Sequence, residues 1–382
     1  VNPGVKVVHG SAPSLRLQDG LKAACNAPVH EETTAMSTTL RVALLGYGLA
    51  GRVFHAPLVA ATAGLRLHTV VSSDPGKVAA GHPRARVLAD PADAFADPDI
   101  DMVVVATPND THAPLALAAL AAGKHVVVDK PFALDLAQAQ AMIDAAQAAD
   151  RVLSVFHNRR WDADFLALRA LLDAGALGEV AELHSHFDRF RPQVPDRWRD
   201  RAGPGGGLWY DLGPHLVDQA LQLFGMPLAV SADLARQRGD AQAVDYFHVQ
   251  LRWPRLRAVL HAGSLVPGHG LRFAAHGSGG SWLKHGLDPQ EDALRAGAMP
   301  GGADWGRDPR PGVLWRVTGD GSVREAASPA PWGDYPAYYA GLREAILHGT
   351  PPPVTAHSAL QTMQVIEAGL RSDAQRCEIA LA

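Results

Sequence analysis

The run LRVALLGYGLAGRVF, residues 40–54, constrains the fold more than any other stretch of this chain. Leu40 to Leu45, apolar but for Arg41, reads as a short buried strand. Gly46, Gly48 and Gly51 follow in the spacing G-x-G-x-x-G, and a helical pattern starts at once. In that order the first glycine makes the turn. The second lets the backbone approach a pyrophosphate, and the third lets the helix pack on the strand. The helix N-terminus then favours the phosphate charge. Glycines alone in this spacing are a weak signal. With a strand before them and a helix after, residues Gly46, Tyr47, Gly48, Leu49, Ala50 and Gly51 read as a dinucleotide-binding loop.

The pattern downstream repeats the same unit. Leu65 to Val71 reads as a second strand, IDMVVVAT (100–107) as a third, VVV before Asp129 as a fourth and Val152 to Phe156 as a fifth. Helical segments separate them, including Ala113 to Ala122 and a helix capped by Asp135 that runs to about Ala149. Strands alternating with helices at this spacing predict a doubly wound parallel sheet over residues 39–156. Residues 157–382 have another texture. Helices are expected over 162–172, within 203–225, and near 335–347 and 358–371. Strand-like runs recur at 179–190, 245–253, 257–264 and 271–276, and consecutive strands without helices between them predict an antiparallel sheet. Residues 1–38 carry no period and no signal-peptide pattern. They are expected to be a disordered extension, with Met36 just ahead of the first strand.

Composition narrows the function classes. The 382 residues suffice for two domains with separate cores. A formal net charge of −4 and the lack of a basic run give no support for nucleic-acid binding. No apolar stretch reaches membrane-spanning length. Cys25 and Cys377 form no metal-ligand spacing and imply no disulfide framework, which points to a reducing, cytoplasmic setting.

Candidate chemistry lies in four places. In VVVDKPF, residues 126–132, Lys130 stands at the carboxyl end of a buried strand, where open α/β sheets bind ligands. Its bland alternative is a lysine snorkelling from a strand end. Asp211 and His215 are four apart at a helix start and share one face, so a carboxylate can orient an imidazole. Equally, Asp211 could cap the helix and His215 could be a core residue. HNRRWD, residues 157–162, concentrates polar donors after a strand and could be a solvated loop anchored by Trp161. Arg189 and Arg191 lie opposite His186 and could bind substrate hydroxyls or pair with acids. His184, His186 and Asp188 share a strand face, and a solvated or interfacial face explains them better than a metal site, so no metal is expected.

The glycine loop GYGLAG, the segment TPNDTH, DKP and the helix WYDLGPHLVDQ together resemble the Gfo/Idh/MocA oxidoreductase family over residues 40–382. FHAPL, SVFHNRRWD, DRFRPQV and DYFH are similar to the branch that contains NADP-dependent scyllo-inositol dehydrogenase. The resemblance implies an α/β Rossmann domain followed by an α+β domain with a large, mostly antiparallel sheet. It also implies homodimers or homotetramers joined through that sheet. It makes Lys130 the lysine of the family's Glu-Lys-Pro motif, with Asp129 in place of the usual glutamate near the nicotinamide ribose. Asp211 and His215 match its Asp-x-x-x-His pair. Thr107, Pro108 and Asn109, with His112 behind them, match the segment along the nicotinamide, and Asn158, Arg160 and Arg191 are implied substrate contacts.

The expected activity is NAD(P)-dependent oxidation of a cyclic polyol or sugar. His215 would be general base, oriented by Asp211, and Lys130 would stabilise the reacting oxygen. An NAD-dependent glycosidase of the same family and a non-catalytic dinucleotide sensor are the alternatives. NADP is expected over NAD, because the strand ending at Val71 is followed by Ser72 and Ser73. Their hydroxyls tolerate a 2′-phosphate that a carboxylate would repel. Asp74 argues the other way if that strand runs longer.

Overall fold

The computed structural model describes residues 39–268 and 270–381, so the expected extension over residues 1–38 lies outside the described residues. Six parallel strands form the first sheet: β1 (Leu40–Leu45), β2 (Leu65–Val71), β3 (Arg86–Leu88), β4 (Met102–Val105), β5 (His125–Val128) and β6 (Leu153–Val155). Their spatial order is β3-β2-β1-β4-β5-β6, which reverses direction between β1 and β4. That reversal opens a crevice at the carboxyl ends of β1 and β4. The valines of β4 and β5 are all buried, because helices cover both faces of the sheet and no polar residue has to alternate among them. The helices are α1 (Ala56–Ala61), α2 (Pro75–Gly81), α3 (Pro91–Ala96), α4 (His112–Ala121) and α5 (Leu136–Ala148). Asp135 caps α5 as expected, its carboxylate accepting from the Gln138 amide at 2.8 Å.

The second sheet has nine strands. After α6 (Ala163–Asp173) come β7 (Val180–His186), α7 (Leu208–Phe224), β8 (Ala229–Ala235), β9 (Tyr246–Arg252), β10 (Arg257–Gly263), β11 (Leu271–Gly277) and β12 (Gly280–His285). Then follow α8 (Gln290–Arg295), β13 (Gly312–Val317), β14 (Val323–Ser328), α9 (Pro336–His348), α10 (Ala356–Gln375) and β15 (Ile379–Ala380). The order β14-β13-β12-β11-β7-β10-β9-β8-β15 is antiparallel except for the β7–β10 pair. The fold class read from the sequence is therefore the one observed.

Helices α7 and α10 lie on one face of this sheet and on each other. Trp209, in the first turn of α7, is the pin between them. Its indole Nε1 donates to the Ile366 carbonyl at 3.1 Å. A Cβ at Gly213 would come within 2.6 Å of the ring, and one at Gly369 within 2.8 Å. Both glycines are required by that close approach. Removing a buried tryptophan of this kind costs about 3–5 kcal/mol.

The C-terminal helices return to the first sheet. α9 packs on α1, and α10 packs on α5 and β6. Ser154 of β6 is fully buried, donates to the Val354 carbonyl at 2.7 Å and accepts from the Tyr338 hydroxyl at 2.9 Å. His55 Nδ1 lies 2.6 Å from the Tyr339 hydroxyl. Among the described residues no helix is long and apolar enough to cross a membrane.

Candidate active site

A cavity of about 400 Å³ opens at the strand reversal and extends toward the second sheet. Gly46, Gly48, Leu49 and Ala50 form one wall, Thr107, Pro108 and Asn109 another, and Asp129 and Lys130 its floor. Gly46 takes φ +91 and its amide donates to the Val71 carbonyl, so it makes the turn out of β1. A Cβ on Gly51 would fall 2.1 Å from the Gly46 carbonyl oxygen, which fixes the third glycine as a packing residue. A Cβ on Gly48 would meet nothing within 4 Å. Open space above the second glycine, at the start of a helix, fits a pyrophosphate, so the loop suits a dinucleotide. Tyr47 turns away to meet His82 edge-on, with ring centroids 6.1 Å apart.

His112 is outside the cavity lining but ties two of its walls together. Its Nδ1 is 2.9 Å from the Pro131 carbonyl oxygen and its Nε2 is 3.1 Å from that of Thr107. Asn109 donates through its amide to the Gly205 carbonyl at 3.0 Å, which docks the glycine turn before α7 onto the first domain. Ser72 and Ser73 are also outside the lining, just past the end of β2. Ser72 Oγ accepts from the Asp74 amide at 3.1 Å, and Asp74 caps α2 by accepting from the Lys77 amide at 2.9 Å. Strand β2 ends at Val71, as the sequence suggests.

Lys130 and α7 meet across the cavity. Lys130 Nζ donates to Asp211 Oδ1 at 2.9 Å and to the Asp211 carbonyl at 2.8 Å. Arg199 Nη1 is 3.2 Å from the same carboxylate oxygen. Burial would raise the Asp211 carboxyl, but Lys130, then Arg199 and Arg189, hold it well below the usual carboxylate range. His215 lines the cavity one turn further along α7, and its Nδ1 is buried without a hydrogen-bond partner. Burial first, then the charges of Lys130 and Arg159, press its pKa well below the ordinary 6.5, so the ring is neutral at pH 7. The expectation that Asp211 orients His215 therefore needs correction, because the carboxylate is committed to two cations instead.

Three further expectations fare differently. Asn158 lines the cavity. Arg160 does not: it grips Asp218 with Nε at 2.9 Å and Nη2 at 2.6 Å, and reaches the Pro353 carbonyl and Ser358 Oγ. It is a buried structural ion pair, and its assignment to substrate is wrong. The 3-10 turn over residues 158–161 aims Arg159, its neighbour, at the cavity side. Arg191 lies beyond the cavity, in a smaller hollow shared with Arg189, Arg199 and Asp211.

Arg189, one of the two arginines read as able to bind substrate or pair with acids, lines the cavity, and so do Arg159, Arg199, Glu291 and Arg295, which the sequence did not mark as site residues. For Arg189 a signal existed: it shares strand parity with the inward Phe187, on which its guanidinium stacks at 4.8 Å. Glu291 and Arg295 sit on the short helix α8, brought in from far along the chain. No local pattern marks them.

On the other face of the second sheet, His184 pairs with Glu182 rather than with Asp188. Asp188 instead faces His186 Nδ1 at 3.4 Å and His261 Nε2 at 3.3 Å, and accepts from the Gly263 amide at 2.9 Å.

Comparison with known proteins agrees with this architecture. Residues 40–157 match the profile described as "Oxidoreductase family, NAD-binding Rossmann fold", and residues 169–381 match "Oxidoreductase family, C-terminal alpha/beta domain". The Escherichia coli uncharacterized oxidoreductase YdgJ is 53% identical over 91% of this chain and 100% of its own length. The Bacillus subtilis scyllo-inositol 2-dehydrogenase (NADP(+)) IolW is 39% identical over 90% of this chain and 96% of its own. A solved structure of the oxidoreductase-like protein YPO2259 from Yersinia pestis superposes with a TM-score of 0.88 at 50% identity, covering 92% of this chain and 99% of that one. Motifs, sheet order and both matches converge: this chain belongs to the Gfo/Idh/MocA family of NAD(P)-dependent oxidoreductases acting on CH–OH groups.

Proposed function

We propose that the protein oxidises a ring hydroxyl of a cyclic polyol or sugar, or reduces the matching ketone, with NADP as the preferred cofactor. The observation that carries this reading is the convergence of Lys130, His215 and the glycine loop on one cavity. The nicotinamide, when bound, supplies the hydride acceptor or donor. Lys130 presents an ammonium held in place by two bonds to Asp211, with donor capacity left for the substrate oxygen. That charge stabilises alkoxide character as it develops. His215, neutral and without a partner on Nδ1, takes the hydroxyl proton. Asp211 acts on Lys130 and positions it, and α7 sets the distance between them. The narrow preference for NADP is supported by the end of β2 at Val71 and by the Asp74 carboxylate, which is engaged as a helix cap. IolW, a relative named for NADP(+), points the same way.

A panel of inositols, aldoses and deoxyketoses, followed by NADPH absorbance, tests the reading. Turnover with at least one of them is expected, and turnover with none in either direction would reject it. We also infer a homodimer or homotetramer joined through the nine-stranded sheet. Its face opposite α7 and α10 carries the exposed His248 and Gln250. Light scattering on the purified protein checks this, and a monomer at micromolar concentration would refute it.

A further inference from the structure

Around the substrate end of the cavity, positive charge exceeds negative. Lys130, Arg159, Arg189, Arg199 and Arg295 line it, and the carboxylates among them are Asp211 and Glu291. Each of these carboxylates already serves two cations. Asp211 holds Lys130 and Arg199. Glu291 holds Arg159 and, at 2.7 Å, Arg295. Asp129, deeper in the floor, turns to its own neighbours, accepting from the Lys130 amide at 2.8 Å with His55 Nε2 at 3.7 Å.

Arg189 is left over. Its guanidinium stacks on Phe187, and its nearest acid is Glu291 Oε1 at 4.0 Å, too long for a hydrogen bond. Among the described residues its side chain donates no hydrogen bond. Burial, offset only in part by Glu291, lowers its pKa to about 10. It stands on the ridge between the cavity and the smaller hollow, lining both. Arg191 lies in that hollow, and its guanidinium forms no ion pair among the described residues.

A hydroxyl can accept one of these N–H groups but leaves the charge uncompensated. A carboxylate or phosphate accepts two in parallel and compensates it, which is the geometry a guanidinium fork favours. Resting on the dehydrogenase reading above, we propose that the substrate is an anionic polyol or sugar whose carboxylate or phosphate group is bound by Arg189, with Arg191 behind it. The reacting hydroxyl lies at Lys130 and His215, and the anionic substituent is the end that selects the substrate.

The test uses matched pairs on the enzyme already loaded with NADP, so that anions cannot report on the cofactor's phosphate site. One arm compares D-glucuronate with D-glucuronamide. The other compares a myo-inositol monophosphate with myo-inositol. Binding is read by calorimetry, and turnover separately by absorbance. In at least one arm the anion should bind about tenfold or more tightly than its neutral partner. Arg189→Gln should collapse that ratio toward one, with Arg189→Lys between. Equal binding of both members in both arms would overturn the proposal, as would a ratio that survives Arg189→Gln. If Arg189→Gln fails to fold, the arms on the unmutated enzyme decide alone. An anion preference in binding without turnover of any compound would instead reject the dehydrogenase reading and leave the anion site standing.

Discussion

Lys130 and Asp211 are joined twice, by the lysine ammonium to the carboxylate at 2.9 Å and to the backbone carbonyl of the same residue at 2.8 Å. These two hydrogen bonds to one residue fix the ammonium against α7 as well as against the end of β5. An aspartate in a helix next to a histidine invites the reading of a dyad, and here the lysine has taken the histidine's place. The consequences differ from those of a dyad.

Lys130→Ala and His215→Ala should each lower kcat by about a hundredfold or more while cofactor affinity stays within about threefold. Asp211→Asn should cost about tenfold or more in kcat, because it frees the ammonium to move, again without loss of cofactor. Steady-state kinetics with fluorescence titration of NADPH check all three. A near-native rate for either alanine variant would remove that residue from the mechanism.

The pH profile follows from the His215 environment. A base works in its neutral form, and burial together with Lys130 and Arg159 lowers this pKa well below 6.5. The neutral form therefore persists as pH falls through 6.5. In the oxidation direction kcat/KM should hold level from pH 8 to 6.5 and fall only at lower pH. An acid limb centred above 6.5 would show that the histidine is not the base, or is not buried when substrate binds.

The proposed preference for NADP can be tested at the end of β2. The unmutated enzyme should show higher kcat/KM with NADP than with NAD, and Asp74→Arg should shift the ratio further toward NADP. A clear NAD preference would mean that Asp74 leaves its cap on α2 to bind the adenosine ribose.

Arg160 separates a structural from a substrate role. Breaking its bidentate pair leaves Asp218 charged and buried, at a cost of about 3–5 kcal/mol. Arg160→Ala should thus lower Tm by several degrees. A raised KM at unchanged Tm would restore the substrate assignment.

What could be read in the sequence follows physical reach. The first sheet was legible because β1, β2, β4 and β5 are rich in Leu and Val and are separated by helical segments at a regular spacing. The three-residue β3 and the exposed, polar β14 (VREAAS) carry too little apolar contrast to stand out. Within the site, Lys130, Asp211 and His215 came to view through local motifs. Their partnership did not, since Arg199 reaches Asp211 from a 3-10 turn twelve residues earlier and competes for the carboxylate. The adjacent Arg159 and Arg160 look alike in sequence and face opposite environments, because a 3-10 turn rotates one toward Glu291 and the other toward Asp218.

The return of α9 and α10 to the first sheet also sets an order of events on the ribosome. Ser154 and His55 are made well before their partners: Val354 follows Ser154 by 200 residues, and Tyr339 follows His55 by 284. Until those residues leave the exit tunnel, the hydroxyl of β6 and the Nδ1 of His55 lack the partners they have in the finished fold and must stay hydrated. The outer faces of α1 and α5 also stay uncovered. Domains commonly mature in the order of synthesis. In this chain the nucleotide-binding half must wait for the last helices, so a stalled or C-terminally clipped product would expose the half that was made first.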